Sequence, residues 1–310
     1  MSRFLASEFP LLPPDQCLFH IIPVPYEATV SYGGGTKDGP AAIIEASNQL
    51  EVWTGEANPG SHGIYTWPAV DCGGEAPAVM DAIAAATSTA LAASPPRSAN
   101  SADSAYSVCP VVPVLLGGEH SITFGALRAM REQYGEIGVI QFDAHADLRD
   151  TYGGSKYSHA CVMRRAVDDL GLPIFQVGVR SLSPEEVAFR KEKSIPHLDA
   201  RAFAHLGGAA WLREHNGPLL PENFPRRVFL TFDVDALDAS IMPATGTPEP
   251  GGLSWWESLA LVRRCLAGRE CIGLDVNETA PLENFTAPTF TAARLTYELM
   301  AEALLSRNSN

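Results

Sequence analysis

Three residues with metal-binding side chains lie close together near the middle of the chain. Asp143, His145 and Asp147 follow the apolar run 137–140, which predicts the end of a buried strand. In an extended backbone, residues two apart project to the same side, so we expect the three side chains to converge. Two carboxylates and an imidazole crowded at a strand end would be poorly solvated without a cation. The spacing therefore predicts a metal site.

A second acidic cluster repeats this pattern further along the chain. The apolar run 228–232 leads directly into Asp233 and Asp235, and two more apolar runs are followed by His120 and by Glu278. Because the carboxyl ends of parallel strands meet at one edge of a sheet, we expect these residues to lie together. The predicted metal ligands are His120, Asp143, His145, Asp147, Asp233 and Asp235.

Six ligands are too many for one small cation and suit two divalent ions that share oxygen atoms. Oxygen ligands with some nitrogen and no thiolate favour Mn²⁺ over Zn²⁺, with Ni²⁺, Co²⁺ and Fe²⁺ as alternatives. Two such ions can lower the pKa of a water molecule from 15.7 towards ~7, which provides hydroxide at neutral pH. The predicted chemistry is metal-assisted hydrolysis.

Apolar runs and longer amphipathic segments alternate along the chain and must position these residues. This alternation predicts an α/β protein with a mostly parallel sheet and helices on both faces. We predict one domain over 1–310, with a solvated surface loop at 94–107 and a disordered tail at 306–310. The predicted strands are 17–24, 63–70, 111–116, 137–142, 174–179, 228–232 and 271–276. The predicted helices are 41–50, 76–93, 122–134, 159–170, 184–193, 253–267 and 289–305.

The composition excludes several classes of partner. The 310 residues include 22 basic and 36 acidic side chains, a net charge of -14, and no basic run. This balance disfavours nucleic acid and anionic membranes as partners. Six cysteines without C-x-x-C spacing predict reduced thiols in a cytoplasmic protein. We expect no signal peptide and no membrane helix, because no segment has the pattern of either.

Several motifs together resemble those of the ureohydrolases, the family of arginase and agmatinase. They are Gly-Gly-Glu-His-Ser (117–121), Asp-Ala-His-Ala-Asp (143–147), Phe-Asp-Val-Asp-Ala-Leu-Asp (232–238) and Pro-Ala-Thr-Gly-Thr-Pro-Glu-Pro-Gly-Gly-Leu (243–253). Segments 33–43 and 157–160 look more like agmatinase than arginase. The resemblance implies an arginase-like three-layer α/β/α fold, a binuclear manganese centre, and a homotrimer or homohexamer. It also implies hydrolysis of a small cationic guanidino compound, with agmatine giving putrescine and urea.

The resemblance assigns roles to individual residues. Asp143 and Asp233 match ligands that bridge the two ions. Glu278 matches the carboxylate that holds the guanidinium, His159 a proton-shuttling histidine, and Thr247 a threonine near the substrate. Asp147 is placed to orient the attacking hydroxide. His120, Asp143, Asp147 and Asp233 match the ligands of one ion, and Asp143, His145, Asp233 and Asp235 those of the other.

Two acidic residues near the motifs have open interpretations. Asp238 either supports the metal site or orders its own loop. Glu119 either supports the metal site or is an acid favoured at a helix N-terminus.

Other activities remain as alternatives. The same chemistry could act on guanidinobutyrate, guanidinopropionate, arginine, guanidine or formimidoylglutamate. A zinc acetylpolyamine-type amidohydrolase is disfavoured because His120 and Asp147 complete a second ion site, and a metal-stabilised protein without activity is disfavoured because Glu278 and His159 are present. We expect the loops at 151–156 and 281–288 to contact the far end of the substrate.

Overall fold

A single sheet of eight parallel strands forms the centre of the molecule in the computed structural model, which describes residues 2–93 and 111–308. Its strands, in chain order, are β1 (Phe19–Val24), β2 (Ile64–Thr66), β3 (Val112–Gly117), β4 (Gly138–Phe142), β5 (Ile174–Val177), β6 (His197–Leu198), β7 (Arg227–Asp233) and β8 (Glu270–Asn277). Across the sheet the order is β2-β1-β3-β8-β7-β4-β5-β6. The predicted mostly parallel sheet is confirmed.

Helices cover both faces of this sheet. They are α1 (Gly39–Ser47), α2 (Ala76–Ala92), α3 (Thr123–Tyr134), α4 (Val162–Asp168), α5 (Pro184–Glu192), α6 (Ala200–His205), α7 (Ala209–Glu214), α8 (Trp255–Leu266) and α9 (Ala287–Asn308). Buried side chains of α1, α8 and α9 form the core on one face, and those of α2 to α5 form the core on the other. The predicted three-layer α/β/α fold is confirmed.

The central strands are apolar throughout because both of their faces are covered. In β1, Phe19 and Ile21 pack into one core, whereas Ile22 and Val24 pack into the other. All six residues of this strand are buried.

Several predicted boundaries are wrong. Residues 306–308 of the predicted tail are helical, since α9 continues and the buried Ser306 hydroxyl accepts a hydrogen bond from the Cys271 N–H, and 309–310 lie outside the described residues. The predicted helix 159–170 is instead a 3₁₀ turn, His159–Cys161, followed by α4. Strand β6 and helices α6 and α7 were not predicted, because each spans only two to six residues. The predicted loop at 94–107 lies outside the described residues.

Four neighbouring strands present their carboxyl ends at the middle of one sheet edge. From β3 the chain crosses over β8 and β7 to form β4, so the strand order reverses there. Such a switch point opens a crevice at the carboxyl ends of the strands, where α/β proteins bind ligands. Every predicted ligand follows or ends one of these four strands. Within the described ranges 2–93 and 111–308, no helix is both long enough and apolar enough to cross a membrane.

Candidate active site

The first group of candidate ligands surrounds one nitrogen of His120. Its Nδ1 lies 3.1 Å from Asp143 Oδ2, 3.2 Å from Asp147 Oδ2 and 3.5 Å from Asp233 Oδ2. His120 follows β3, Asp143 follows β4, and Asp233 is the last residue of β7. Each of these side chains is at least 95% buried. The structure thus brings together the four residues predicted to bind one ion.

A second group lies beside the first and shares Asp143 with it. His145 Nδ1 lies 3.0 Å from Asp235 Oδ2 and 3.6 Å from Asp143 Oδ1. Asp143 therefore turns one oxygen to each group. The remaining oxygen of Asp233, Oδ1, accepts the Asp235 N–H at 2.9 Å. The structure thus places Asp233 beside the first group, and its bridging role stays a prediction.

The arrangement fits divalent cations. Ligand atoms 2.0–2.3 Å from an ion and at right angles around it lie about 3 Å apart, close to the spacings in both groups. His120 Nδ1 is buried and has no hydrogen bond of acceptable geometry among the described residues, although three carboxylates surround it. An ion at the centre of the group would satisfy the nitrogen and the carboxylates together.

The ionisation of these groups reflects the crowding of negative charge. Burial raises the pKa of Asp147 to about 7, and the charge of Asp143 adds to this effect. Burial, together with Asp235, raises the pKa of Asp233 well above its usual range. Burial opposes the charged form of His145, but Asp143 and Asp235 outweigh it and raise the pKa of His145 to about 12. Without metal the cluster retains protons that divalent ions would replace.

Asp147 reaches the cluster by a different route from the one predicted. Strand β4 ends at Phe142, and Asp147 has a left-handed backbone with φ of 53°, so it is not part of an extended run. Its carbonyl oxygen accepts the N–H groups of Met163 and Arg164 at the start of α4. Leu148 N–H donates to the buried Glu186 at the start of α5. These bonds stabilise a backbone that a side-chain-bearing residue rarely adopts.

Buried polar side chains behind the ligands hold them in place. Gln141 Nε2 donates to Asp143 Oδ2 at 2.7 Å, Gln176 Nε2 donates to Gln141, and Arg190 Nε donates to Gln176 at 2.9 Å. This series of hydrogen bonds connects Asp143 to the Arg190 guanidinium on α5. It fixes the orientation of the Asp143 carboxylate.

A second support lies behind His120. Its Nε2 is 2.7 Å from Thr231 Oγ1, and Thr231 Oγ1 is 3.4 Å from Thr123 Oγ1, which donates to Asp275 at 2.7 Å. Sequence reasoning did not identify these supporting residues. Four of them share a feature visible in the sequence, a polar side chain inside an apolar strand: Gln141, Gln176, Thr231 and Asp275.

Glu278 lies beside the first group, and one of its carboxylate oxygens accepts a hydrogen bond from the backbone of His120. Its Oε1 accepts the His120 N–H at 2.7 Å, and a side-chain carbon placed at Gly246 would lie 3.9 Å from Oε2. Glu278 also has a left-handed backbone, with φ of 65°, and its N–H donates to the Gly118 carbonyl. Burial raises its pKa to about 8. A buried carboxylate in a strained conformation is typical of a functional site.

Two loops meet next to Glu278. Gly33 N–H donates to the Gly246 carbonyl at 3.1 Å, and a side-chain carbon at Gly33 would lie only 2.9 Å from that oxygen. This approach explains the glycine at position 33. Thr247, the predicted substrate threonine, follows directly and is half-buried. Its contact with substrate stays a prediction.

His159 is held by a separate set of contacts. Thr29 Oγ1 lies 3.1 Å from its Nδ1, and the Tyr152 ring packs against the imidazole in a T-shaped arrangement with 6.0 Å between centroids. Burial lowers the pKa of His159. Tyr152 belongs to the loop at 151–156, so this loop lies next to the predicted proton shuttle.

The two acidic residues with open interpretations have clear roles. Asp238 accepts hydrogen bonds from the backbone N–H groups of Ser240, Gly251 and Gly252, which makes it a loop-ordering carboxylate. Glu119 is fully buried and accepts the N–H groups of Ala28 and Thr29, so it anchors the loop that contacts His159.

Comparison with known proteins gives consistent relatives along nearly the whole chain. A model of the arginase family matches residues 18–302. The chain is 38% identical over 309 residues to the N(1)-aminopropylagmatine ureohydrolase of Synechocystis sp., covering 96% of this chain and 93% of that protein. It is 31% identical to the agmatinase of Pyrococcus horikoshii, covering 95% of each. The crystal structure of agmatine ureohydrolase from Thermoplasma volcanium superposes with a TM-score of 0.77 at 28% identity, covering 97% of both chains.

Proposed function

This chain belongs to the arginase family, and we propose that it hydrolyses N(1)-aminopropylagmatine or agmatine to urea and an amine. Family membership makes it a ureohydrolase, a hydrolase that acts on guanidino groups. The observation that carries the proposal is the pair of ligand groups sharing Asp143, with Glu278 beside them.

The donor set supports a pair of divalent metal ions. One would be held by His120, Asp143 and Asp147, with Asp233 next to them, and the other by Asp143, His145 and Asp235. When bound, such ions supply a water acidic enough to lose a proton near neutral pH. We propose Mn²⁺ because carboxylate oxygens outnumber imidazole nitrogens in both groups.

Glu278 orients the substrate. A guanidinium is planar and resonance-stabilised, and its carbon is therefore a poor electrophile that must be held close to the nucleophile. A carboxylate and a guanidinium form a strong, directional pair. With Oε1 occupied by the His120 N–H, Oε2 is the oxygen available to this pair.

Two residues handle protons. Asp147 accepts a hydrogen bond from the attacking water and so directs its lone pair towards the guanidinium carbon. His159 is neutral at the start because burial lowers its pKa, so it can accept a proton and then donate it to the leaving nitrogen. The tetrahedral intermediate then breaks its bond to that nitrogen and releases urea and the amine.

The charges around the site favour a substrate without a carboxylate. Lys156 Nζ pairs with Asp169 at 3.5 Å, and the Arg149 guanidinium lies over the Tyr152 ring at 5.2 Å. Arg180 donates to the backbone carbonyl groups of Gly178, Asp235 and Glu249. These basic groups already have partners. Burying the carboxylate of arginine or 4-guanidinobutyrate without a partner would cost several kcal/mol, roughly 10²- to 10³-fold in selectivity.

Two substrates meet this requirement. The sequence motifs favour agmatine, whereas the relative at 38% identity is named for N(1)-aminopropylagmatine. Both carry a guanidinium at one end and amino nitrogen at the other, and neither carries a carboxylate. We place N(1)-aminopropylagmatine first because that relative is 38% identical to this chain, against 31% for the agmatinase of Pyrococcus horikoshii.

A substrate panel tests this proposal. Urea release is measured with Mn²⁺-loaded protein on N(1)-aminopropylagmatine, agmatine, arginine, 4-guanidinobutyrate and guanidine, with Asp143→Ala protein as the control for metal-independent background. We expect kcat/KM to be highest for the first compound, then agmatine, with arginine and 4-guanidinobutyrate lower by at least about 10²-fold. A higher kcat/KM for either carboxylate-bearing compound would contradict the substrate assignment.

The homotrimer or homohexamer and the cytoplasmic location predicted from the sequence stay predictions. Sedimentation equilibrium of the purified chain tests the first of them.

A further inference from the structure

The hydroxyl group of Thr29 lies between a buried carboxylate and the ring of His159. Its Oγ1 donates to Glu119 Oε1 at 2.8 Å and lies 3.1 Å from His159 Nδ1. The same oxygen accepts the backbone N–H of His159 at 3.1 Å. The hydroxyl thus makes three polar contacts, two of them with His159.

The direction of the bond to Glu119 follows from the other contacts of that carboxylate. Its Oε2 accepts two backbone N–H groups, from Ala28 and Thr29, each at 2.6 Å. Its Oε1 also accepts the Ser121 hydroxyl at 2.6 Å. Such short contacts from N–H donors are typical of an ionised acceptor. Glu119 therefore acts as an acceptor throughout, and the single hydroxyl hydrogen of Thr29 is committed to it.

The hydrogen-bonding capacity of a hydroxyl then determines the state of the histidine. A threonine hydroxyl has one hydrogen and two lone pairs. The hydrogen goes to Glu119, and one lone pair accepts the His159 N–H. Only a lone pair is left to face His159 Nδ1. An unprotonated Nδ1 would set two lone pairs against each other at 3.1 Å, whereas an Nδ1–H makes a good hydrogen bond.

We propose that Thr29 is a positioning residue that holds neutral His159 in the tautomer with its proton on Nδ1. This leaves Nε2 as the basic nitrogen that exchanges the proton with substrate. The inference rests on the proposed role of His159 as proton shuttle. The Tyr152 ring and the imidazole pack in a T-shaped arrangement, with an interplanar angle of 76°, and this contact limits rotation of the imidazole.

A purely structural role for the hydroxyl is distinguishable from this one. The loop carrying Thr29 is anchored by its own backbone, because the N–H groups of Ala28 and Thr29 bind Glu119 without help from the hydroxyl. A Thr29→Val substitution preserves these backbone bonds and the side-chain shape. It removes the hydroxyl, and with it the contacts to Glu119 Oε1, to the His159 N–H and to His159 Nδ1.

The test compares Thr29→Val with Thr29→Ser, which retains the hydroxyl. Thr89→Val is the matched control, because Thr89 is exposed and its hydroxyl donates to the Ala85 carbonyl of its own helix. The ¹⁵N shifts of the His159 ring report the tautomer in histidine-labelled protein loaded with diamagnetic Zn²⁺, with His159→Asn used for assignment. Urea release gives kcat and KM separately, and the unfolding midpoint reports the fold.

We expect Nδ1–H signals from the wild type, Thr29→Ser and Thr89→Val, and a shift towards Nε2–H in Thr29→Val. We expect kcat of Thr29→Val to fall about 10- to 100-fold, no more than the 10²–10⁴-fold that general acid–base catalysis contributes in full, because the imidazole is still present. KM should change less than about threefold, since Glu278 binds the guanidinium. Thr29→Ser should retain most of kcat.

An unchanged Nδ1–H signal in Thr29→Val, with the midpoint of the wild type, would overturn the inference whatever the urea assay shows. A lost Nδ1–H signal with unchanged kcat would support the inference and refute the shuttle role of His159. Equal losses of Nδ1–H in the Ser and Val variants would also overturn it, because serine keeps the hydroxyl.

Discussion

Replacing Glu278 by glutamine removes one charge from the proposed guanidinium site and changes little else. Glutamine has nearly the same shape, and its Oε1 can still accept the His120 N–H that Glu278 Oε1 accepts at 2.7 Å. The substitution should not unfold the protein. Burial raises the pKa of Glu278 to about 8, so the metal-free protein already holds this side chain neutral at pH 7. Glutamine resembles that neutral form.

The loss of activity follows from the burial of the pair. Glu278 is only 8% exposed, so in the proposed complex its charge would pair with the guanidinium away from bulk water. Removing one partner of such a buried pair costs about 2–5 kcal/mol. At 1.4 kcal/mol for each factor of ten, kcat/KM should fall about 30- to 4,000-fold. The fall should be similar for every guanidino substrate, because all of them present the same group to Glu278.

The measurement is urea release by Glu278→Gln on agmatine, N(1)-aminopropylagmatine and arginine, together with bound metal and the unfolding midpoint. Glu132→Gln is the matched control, because Glu132 is an exposed glutamate on α3, outside the loops that we expect to contact the substrate. We expect the control to keep wild-type activity. A Glu278→Gln protein with normal metal content and kcat/KM within about threefold of wild type would refute the role of Glu278.

Further predictions concern the metal cluster. Asp143→Ala and Asp233→Ala should lose activity and bind less metal. Asp143 belongs to both ligand groups, and Asp233 lies beside His120 in the first group. Two full equivalents by metal analysis, with near-normal urea production, would contradict this. In metal-free protein, burial raises the pKa of Asp147 to about 7 and that of Glu278 to about 8. The folded state then holds protons that the unfolded state has lost, so the free energy of unfolding should fall as pH rises from about 5 to 8. Added Mn²⁺ should reduce this fall, since metal replaces the protons. Unfolding midpoints measured across that pH range test the direction of this change. A midpoint of the metal-free protein that rises with pH would contradict the prediction.

The sheet and most of the site were predictable because each depends on short-range patterns. Apolar runs predicted seven of the strands, and the polar residues that follow four of those runs predicted the ligand cluster. Strand β6 has only two residues, too few for any periodic pattern to appear. Helix α9 extends beyond its predicted end because it packs against β8, a contact that the local sequence does not reveal.

The parts of the site that sequence reasoning missed depend on contacts between distant segments. Thr29 meets His159 across 130 residues, and Gln176 meets Gln141 across 35. The left-handed backbone of Asp147 likewise arises from the N–H groups of α4. A polar residue inside an apolar strand was a visible sign for Gln141 and Gln176. Thr29 had no comparable sign, because it lies in a loop.

The proposed activity is release of urea from a guanidino compound by means of a metal pair held around Asp143. The most direct test is to strip the protein with EDTA, measure residual metal, and assay urea release from agmatine and N(1)-aminopropylagmatine before and after adding Mn²⁺. We predict that the stripped protein is inactive and that activity returns as metal approaches two equivalents per chain. Full urea release from protein with undetectable metal would contradict the claim, as would absence of urea from the whole guanidino panel with two equivalents bound.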